Sequence, residues 1–106
     1  MESIEAVNAL AALAQEHRLA IFRRLVRAGP DGISAGEIGR KVGLAPATLS
    51  FHLRTLSQAA LATSRREGRT IFYAANYDAM CSLLCYLTED CCGGTCGAYS
   101  LKEATG

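Results

Sequence analysis

A mainly α-helical domain with one β-hairpin, in the order α-α-α-α-β-β-α, is the fold class this sequence predicts. Three observations predict it. Apolar residues recur at helical spacing in successive segments before residue 91. Cap and stop residues punctuate those segments, with Ser34, Gly43, Pro46 and Asn76 at their ends. One stretch, residues 61–74, has two strand-like runs around a short turn containing Gly68. A chain of 106 residues is one domain by length, and no linker or repeat divides it. The expected organisation is a folded unit over residues 1–90 and a flexible tail over 91–106.

Residues 3–15 are rich in Ala and Leu, and Ile4, Val7, Leu10, Ala11 and Ala14 form a helical stripe. So apolar a helix at the end of a small domain has little core to cover. It is expected to pack on another subunit, with packing on its own core as the alternative. Residues 17–28 form a second helix with Leu19, Phe22, Leu25 and Val26 inward, stopped by the turn residues 29–32. His17 is expected to be structural. Ser34 and Glu37 fit a capping box opening a third, short helix that ends at Gly43.

Residues 44–60 carry the fourth helix. Pro46 suits its first turn, where a missing N–H costs nothing. Leu49, Leu53 and Leu56 make its apolar stripe. The opposite face presents Ala47, Thr48, Phe51, Arg54, Thr55 and Gln58, with Ser50 and His52 on the flanks. Small and hydroxyl side chains let a helix sit deep in a major groove and bond phosphates and base edges, and Phe51 suits a thymine methyl. Two helices joined by a tight turn with Gly43 form a helix-turn-helix, the second helix reading the groove. An ordinary amphipathic surface helix is the plain alternative for this stretch alone.

Residues 61–66 and 69–74 read as strands around a Glu67-Gly68 turn, a hairpin or wing whose tip carries Arg65, Arg66 and Arg69. Arginines at such a tip suit phosphates or a minor groove. Asn76 caps a last helix running from Tyr77 to about Asp90, with Met80, Leu83, Leu84 and Leu87 as its stripe.

Charge follows the same plan. Net charge is +1 over the whole chain. Residues 17–73 carry ten Arg or Lys against three acids, a net +7, while the segments on either side are each net −3. A basic middle between acidic ends suits a domain that meets a polyanion with its centre. No run reaches membrane-spanning length and no signal peptide is visible, so the expected location is cytoplasmic, with no membrane partner.

The element order, the core Thr48–Leu53 (TLSFHL) within residues 45–56, the run LSQAALATSRREGRTIFY and the terminal helix together resemble the ArsR/SmtB family of bacterial winged-helix repressors, over about residues 5–90. The resemblance implies a winged helix-turn-helix fold, homodimers paired through the first and last helices, and release of operator DNA when a metal or metalloid binds. The DNA contacts expected from the face and flanks of the fourth helix and from the wing tip are Ala47, Thr48, Ser50, Phe51, His52, Arg54, Arg65, Arg66 and Arg69. Ala60 departs from the family, which usually has Gly there. The Cys-rich motif of the arsenic repressor best known in the family is missing from the third helix, GEIGRKVGL, and the zinc-sensing His/Asp set reduces to Asp78.

All five cysteines follow residue 80. Cys81 and Cys85 are i, i+4 on the last helix, where free Cys is often a small buried hydrophobe. Cys91, Cys92 and Cys96 lie in a polar, Gly-rich segment where burial does not explain them. Three thiols within six residues suit one soft centre. As(III) takes three thiolates in a pyramid, whereas structural zinc wants four ligands. The segment also resembles arsenic-responsive members of the family whose site follows the last helix. The expected function is an As(III)-responsive repressor, with Sb(III) also binding. A thiol redox switch, or Cd(II) or Pb(II) sensing, at the same cysteines is the alternative. No base or oxyanion arrangement supports an enzyme.

Overall fold

The computed structural model describes residues 1–90, and Cys91, Cys92 and Cys96 lie outside them. Five helices and three strands follow in the order α1 (Ser3–Leu13), α2 (Glu16–Ala28), β1 (Ile33–Ser34), α3 (Ala35–Val42), α4 (Pro46–Gln58), β2 (Ala62–Glu67), β3 (Thr70–Ala75) and α5 (Tyr77–Thr88). The four helices, the hairpin and the final helix expected from the sequence are all present. β1 is an addition: it pairs antiparallel with β3, Ile33 opposite Tyr73, and makes the hairpin a three-stranded sheet in the order β1-β3-β2.

One core joins these elements. Ile21 and Leu25 of α2, Ile38 of α3, Leu53 and Leu56 of α4, and Leu61 are its fully buried large side chains. The α4 stripe points inward as its spacing requires, with Leu49 buried beside the other two. On α2 the inner face is Ile21, Phe22 and Leu25, and Leu19 is exposed. The i, i+4 pairing of Ile21 with Leu25 outcompetes the expected Leu19 because the centre of the domain lies on that side of the helix.

The helix ends follow their cap chemistry. Ser34 Oγ accepts from Glu37 N–H at 3.2 Å, and α3 closes on Gly43 at φ 71°. Between them Gly39 lets α3 lie close to α4: a Cβ there would stand 3.3 Å from both the Leu44 carbonyl oxygen and Leu49 Cδ2. The end of α4 is a Schellman motif, Leu61 N–H donating to Leu56 O and Ala60 N–H to Ser57 O, each at 3.0 Å. That motif holds Ala60 at φ 63°, the left-handed region that glycine occupies without strain.

Asn76 then does several things at one point. Its N–H donates to Leu61 O and its Nδ2 to Ala60 O, both at 2.9 Å, while its Oδ1 accepts from Ala79 N–H at 3.3 Å. One residue therefore caps α5 and ties it to the end of α4. Tyr77 Oη donates to Val26 O at 3.0 Å and fixes α5 to α2 as well.

α1 and α5 differ from the rest. α1 packs inward through Ala6, Ala9 and Ala12, whose small side chains allow close approach. The large aliphatics of its sequence stripe, Ile4, Val7 and Leu10, are 63%, 56% and 43% exposed. On α5 only Leu83 is buried, Met80 is half-buried, and Leu84 and Leu87 are exposed. Much of the apolar surface expected on these two helices faces away from the chain's own core.

Candidate nucleic-acid interface

α4 begins without a side-chain cap, at Ala45, with Pro46 in its first turn. Its first N–H groups thus have no side-chain acceptor and point out of the helix end, where an anion is favoured. Beyond them Ala47, Thr48, Ser50, Phe51 and Arg54 are all exposed, so the polar face expected for reading a groove lies open. Phe51 is 55% exposed, a large aromatic displayed on an otherwise small-residue surface. Thr55 is half-buried and its hydroxyl donates to Phe51 O at 3.1 Å, which takes it out of the reading face.

His52 corrects the sequence reading. It is 6% exposed, buried beneath the helix instead of standing on its flank. His52 is three residues after Leu49 and four before Leu56, so it belongs to the inward stripe. Arg18 Nη1 lies 3.3 Å from His52 Nδ1, and the His17 ring stands 5.8 Å away, tilted by 41°. A guanidinium can only donate, so Nδ1 accepts and the imidazole is neutral with its proton on Nε2. Burial, reinforced by the Arg18 and His17 charges, holds the His52 pKa below the ordinary histidine value. Arg18 also donates from Nε to Ala12 O at 2.6 Å, so one side chain joins the end of α1 to the underside of α4. No local pattern marks Arg18, which sits in an amphipathic helix like any solvated arginine.

The wing also differs in register. Glu67 pairs with Thr70, so the two turn residues are Gly68 and Arg69, one position later than expected. Gly68 takes φ 63° at the first turn position, as a turn needing positive φ there requires. Arg69 therefore stands in the tip itself, and Arg66 is exposed on β2. Neighbouring strand residues face opposite ways, so Arg65 and Arg66 do not share a side of the wing. Arg65 is engaged within the chain. Its Nε meets Glu67 Oε2 at 2.8 Å, its guanidinium lies 4.7 Å from the Phe72 ring centroid, and it donates to Asp31 O. Arg65 braces the wing against the loop before β1, and among the described residues Arg66 on β2 and Arg69 at the tip make no ion pair.

A short helix, a glycine turn, an exposed reading helix and a basic hairpin thus stand consecutively in one domain. A helix-turn-helix domain family matches residues 13–65, half of the chain. The chain belongs to the ArsR/SmtB-like winged helix-turn-helix regulators. The nodulation protein NolR of Rhizobium meliloti is 34% identical over 79% of this chain, and the match spans 66% of that protein, a little under two thirds of its length. The NolR structure from Sinorhizobium fredii superposes with a TM-score of 0.66 at 33% identity, covering 87% of this chain and 88% of that one. A homodimeric winged helix-turn-helix DNA-binding domain from Mycobacterium bovis, described as a possible ArsR-family regulator, is similar at TM-score 0.66 and 25% identity, covering 79% of this chain and 76% of that one. These likenesses place the chain among DNA-binding transcriptional regulators.

The thiols of this regulator divide by position. Cys91, Cys92 and Cys96 fall outside the described residues. Cys81 and Cys85 are free and half-buried on α5. Among the described residues, no three His, Cys, Asp or Glu side chains gather as a metal site, and no helix is long and apolar enough to cross a membrane.

Proposed function

We propose that this protein is an As(III)-responsive transcriptional repressor that binds operator DNA as a homodimer and releases it when arsenite, or antimonite, binds the thiolates of Cys91, Cys92 and Cys96. The observation that carries the DNA half is the open face of α4. Thr48, Ser50, Phe51 and Arg54 are displayed beside an uncapped helix start, with Arg66 and Arg69 on the wing that follows. Thr48, Ser50 and Phe51 meet base edges or methyl groups, and the arginines with the helix start meet phosphates.

The dimer is supported by Ile4, Val7 and Leu10 on α1 with Leu84 and Leu87 on α5, all exposed on two helices that touch each other. Apolar surface of this kind marks a protein interface. The related M. bovis domain is a homodimer. The arsenic half rests on the chemistry of three thiols and two glycines within residues 91–96. Neighbouring helical residues point about 100° apart, so Cys91 and Cys92 meet one arsenic only off the regular helical path.

The test uses full-length protein and a duplex selected from a random library for tight binding. Arsenite is expected to release the duplex from the unaltered chain. It is expected to leave the triple variant C91S/C92S/C96S bound, with affinity near that of the unaltered chain before arsenite. Release of the triple variant by arsenite refutes the metalloid assignment. Failure of the unaltered chain to prefer any duplex refutes the DNA assignment.

A further inference from the structure

α3, α4 and β3 do not close fully on one another. Between them lies a cavity of 570 Å³, within the range of about 300–1,000 Å³ that small-molecule sites occupy. Leu49 and Leu53 of α4 are buried at its floor, and Leu44 and Ile71 give it apolar walls. Ile71 and Tyr73 are two apart on a strand, so they face the cavity together. Phe72 between them faces the other way and takes the Arg65 guanidinium. Tyr73 is half-buried and brings a hydroxyl to the cavity side. At the mouth, Arg40 Nη1 lies 3.7 Å from where a Cβ on Gly36 would stand, so the guanidinium is folded back over the glycine. Among the described residues that line the cavity Arg40 carries the only charge, and it makes no ion pair.

We infer that this cavity binds a small organic acid, an apolar body the size of one or two fused rings carrying one carboxylate. Charge sets the head group. A lone guanidinium attracts an anion and repels a cation, and its planar fork matches one carboxylate with two parallel hydrogen bonds. Apolar surface sets the body. An inorganic anion would meet Arg40 and leave the leucine and isoleucine walls facing water. A void of about 150 Å³ already holds benzene, so this one has room for a larger ring system beneath the head group. The Tyr73 hydroxyl and Ser50 Oγ supply the few polar groups that orient a ligand in an apolar site.

The walls belong to the three parts of the DNA-binding unit. Ser50 lines the cavity and is exposed on the reading face of α4, and Pro46 of the uncapped first turn lines it too. A bound acid therefore occupies groups that DNA approaches, and acid and operator oppose each other. That opposition rests on the DNA half of the proposed function, whereas the binding of the acid does not. By linkage each weakens the other by the same factor.

The probe is 2-naphthoate, with 2-naphthalenemethanol as its uncharged counterpart, titrated into the full-length protein and followed by amide NMR. Saturable shifts centred on Gly36, Leu49 and Ile71 are expected. The alcohol should bind roughly 10–100-fold more weakly, the usual contribution of a hydrogen bond to a charged group. Arg40→Gln should remove that difference by weakening the acid. Gly36→Leu adds a Cβ that meets only ordinary contact and fills the mouth, so it should weaken both ligands. Circular dichroism on each variant checks the fold. Saturating naphthoate should weaken binding to a selected duplex, and that duplex should weaken naphthoate binding equally. The site is overturned by absence of saturable binding, by shifts centred on α1 and α5, by equal binding of acid and alcohol, or by an acid preference that survives Arg40→Gln. Unchanged duplex affinity at saturation overturns the opposition to DNA. Failure to prefer any duplex strikes the proposed function instead, and the naphthoate titration decides the site without it.

Discussion

The middle of this molecule and its two ends solve the problem of apolar surface in opposite ways. From α2 to β3 the large aliphatic residues except Leu19 turn inward, and the exposed face of α4 carries small, hydroxyl and basic groups around Phe51. On α1 and α5 alanines and a single leucine go inward, while Ile4, Val7, Leu10, Leu84 and Leu87 go out. The middle is built to meet water and polyanion, and the ends to meet more protein. Hydrophobic periodicity reports that a helix has an apolar face, but it does not say to which molecule that face belongs.

The largest effect should come from the ends. Val7→Glu together with Leu87→Glu places charge on the exposed apolar face and is expected to give a folded monomer. Loss of the second reading helix should weaken operator binding by about 10²–10⁴-fold, the usual range for losing linked engagement. Sedimentation velocity and DNA titration on the same sample check this. A double variant that stays dimeric would move the interface elsewhere.

The middle should respond to salt instead. Arg69→Ala removes a cation from the wing tip and is expected to weaken binding to all duplexes alike, lowering the log–log salt slope by about 0.9 for one phosphate contact. Phe51→Ala should change which duplexes are preferred while the slope holds. An unchanged slope for Arg69→Ala would put the tip off the DNA.

His52 sharpens the boundary between the two regions, since Arg18 joins it to the end of α1. Its folded pKa lies below the ordinary value of 6.5, so between those two values the unfolded chain binds more protons than the folded one. The stability that neutral His52 contributes is therefore complete above pH 6.5 and is lost as pH falls from there through the folded value. Urea midpoints from about pH 7.5 to 5.5 should decline for the unaltered chain and decline less for His52→Gln. Equal slopes would mean that the acid sensitivity arises elsewhere. The smallest effect is expected at the joint after α4. Ala60→Gly relieves a left-handed alanine and should add about 1 kcal/mol to unfolding stability, read from the same urea curves, with DNA binding unchanged.

Most helices and caps were legible because they are local. As helix starts, Ser34, Pro46 and Asn76 each act within four residues of their own position, although Asn76 also bonds back to Ala60 and Leu61. The exposed face of α4 was legible for the same reason, from the spacing of three leucines. What escaped depends on distant partners. β1 is two residues long and exists because β3, about 40 residues later, pairs with it. The turn moved by one residue because strand register is settled by pairing across the whole hairpin. His52 lay on the inward stripe in plain view, but its polarity disguised it. Only Arg18, supplied by another helix, shows how a polar ring is kept there.

The bonds of Asn76 bear on how a signal could travel. The hairpin between α4 and α5 is a long detour for the chain, yet Asn76 closes it to a short bridge, joined on one side to Ala60 and Leu61 and on the other to Ala79. α5 therefore cannot tilt at its start without dragging the last turn of α4 or breaking these bonds. The two helices are joined there as one bent lever with its elbow at Asn76, so a displacement of the start of α5 is passed to the end of α4.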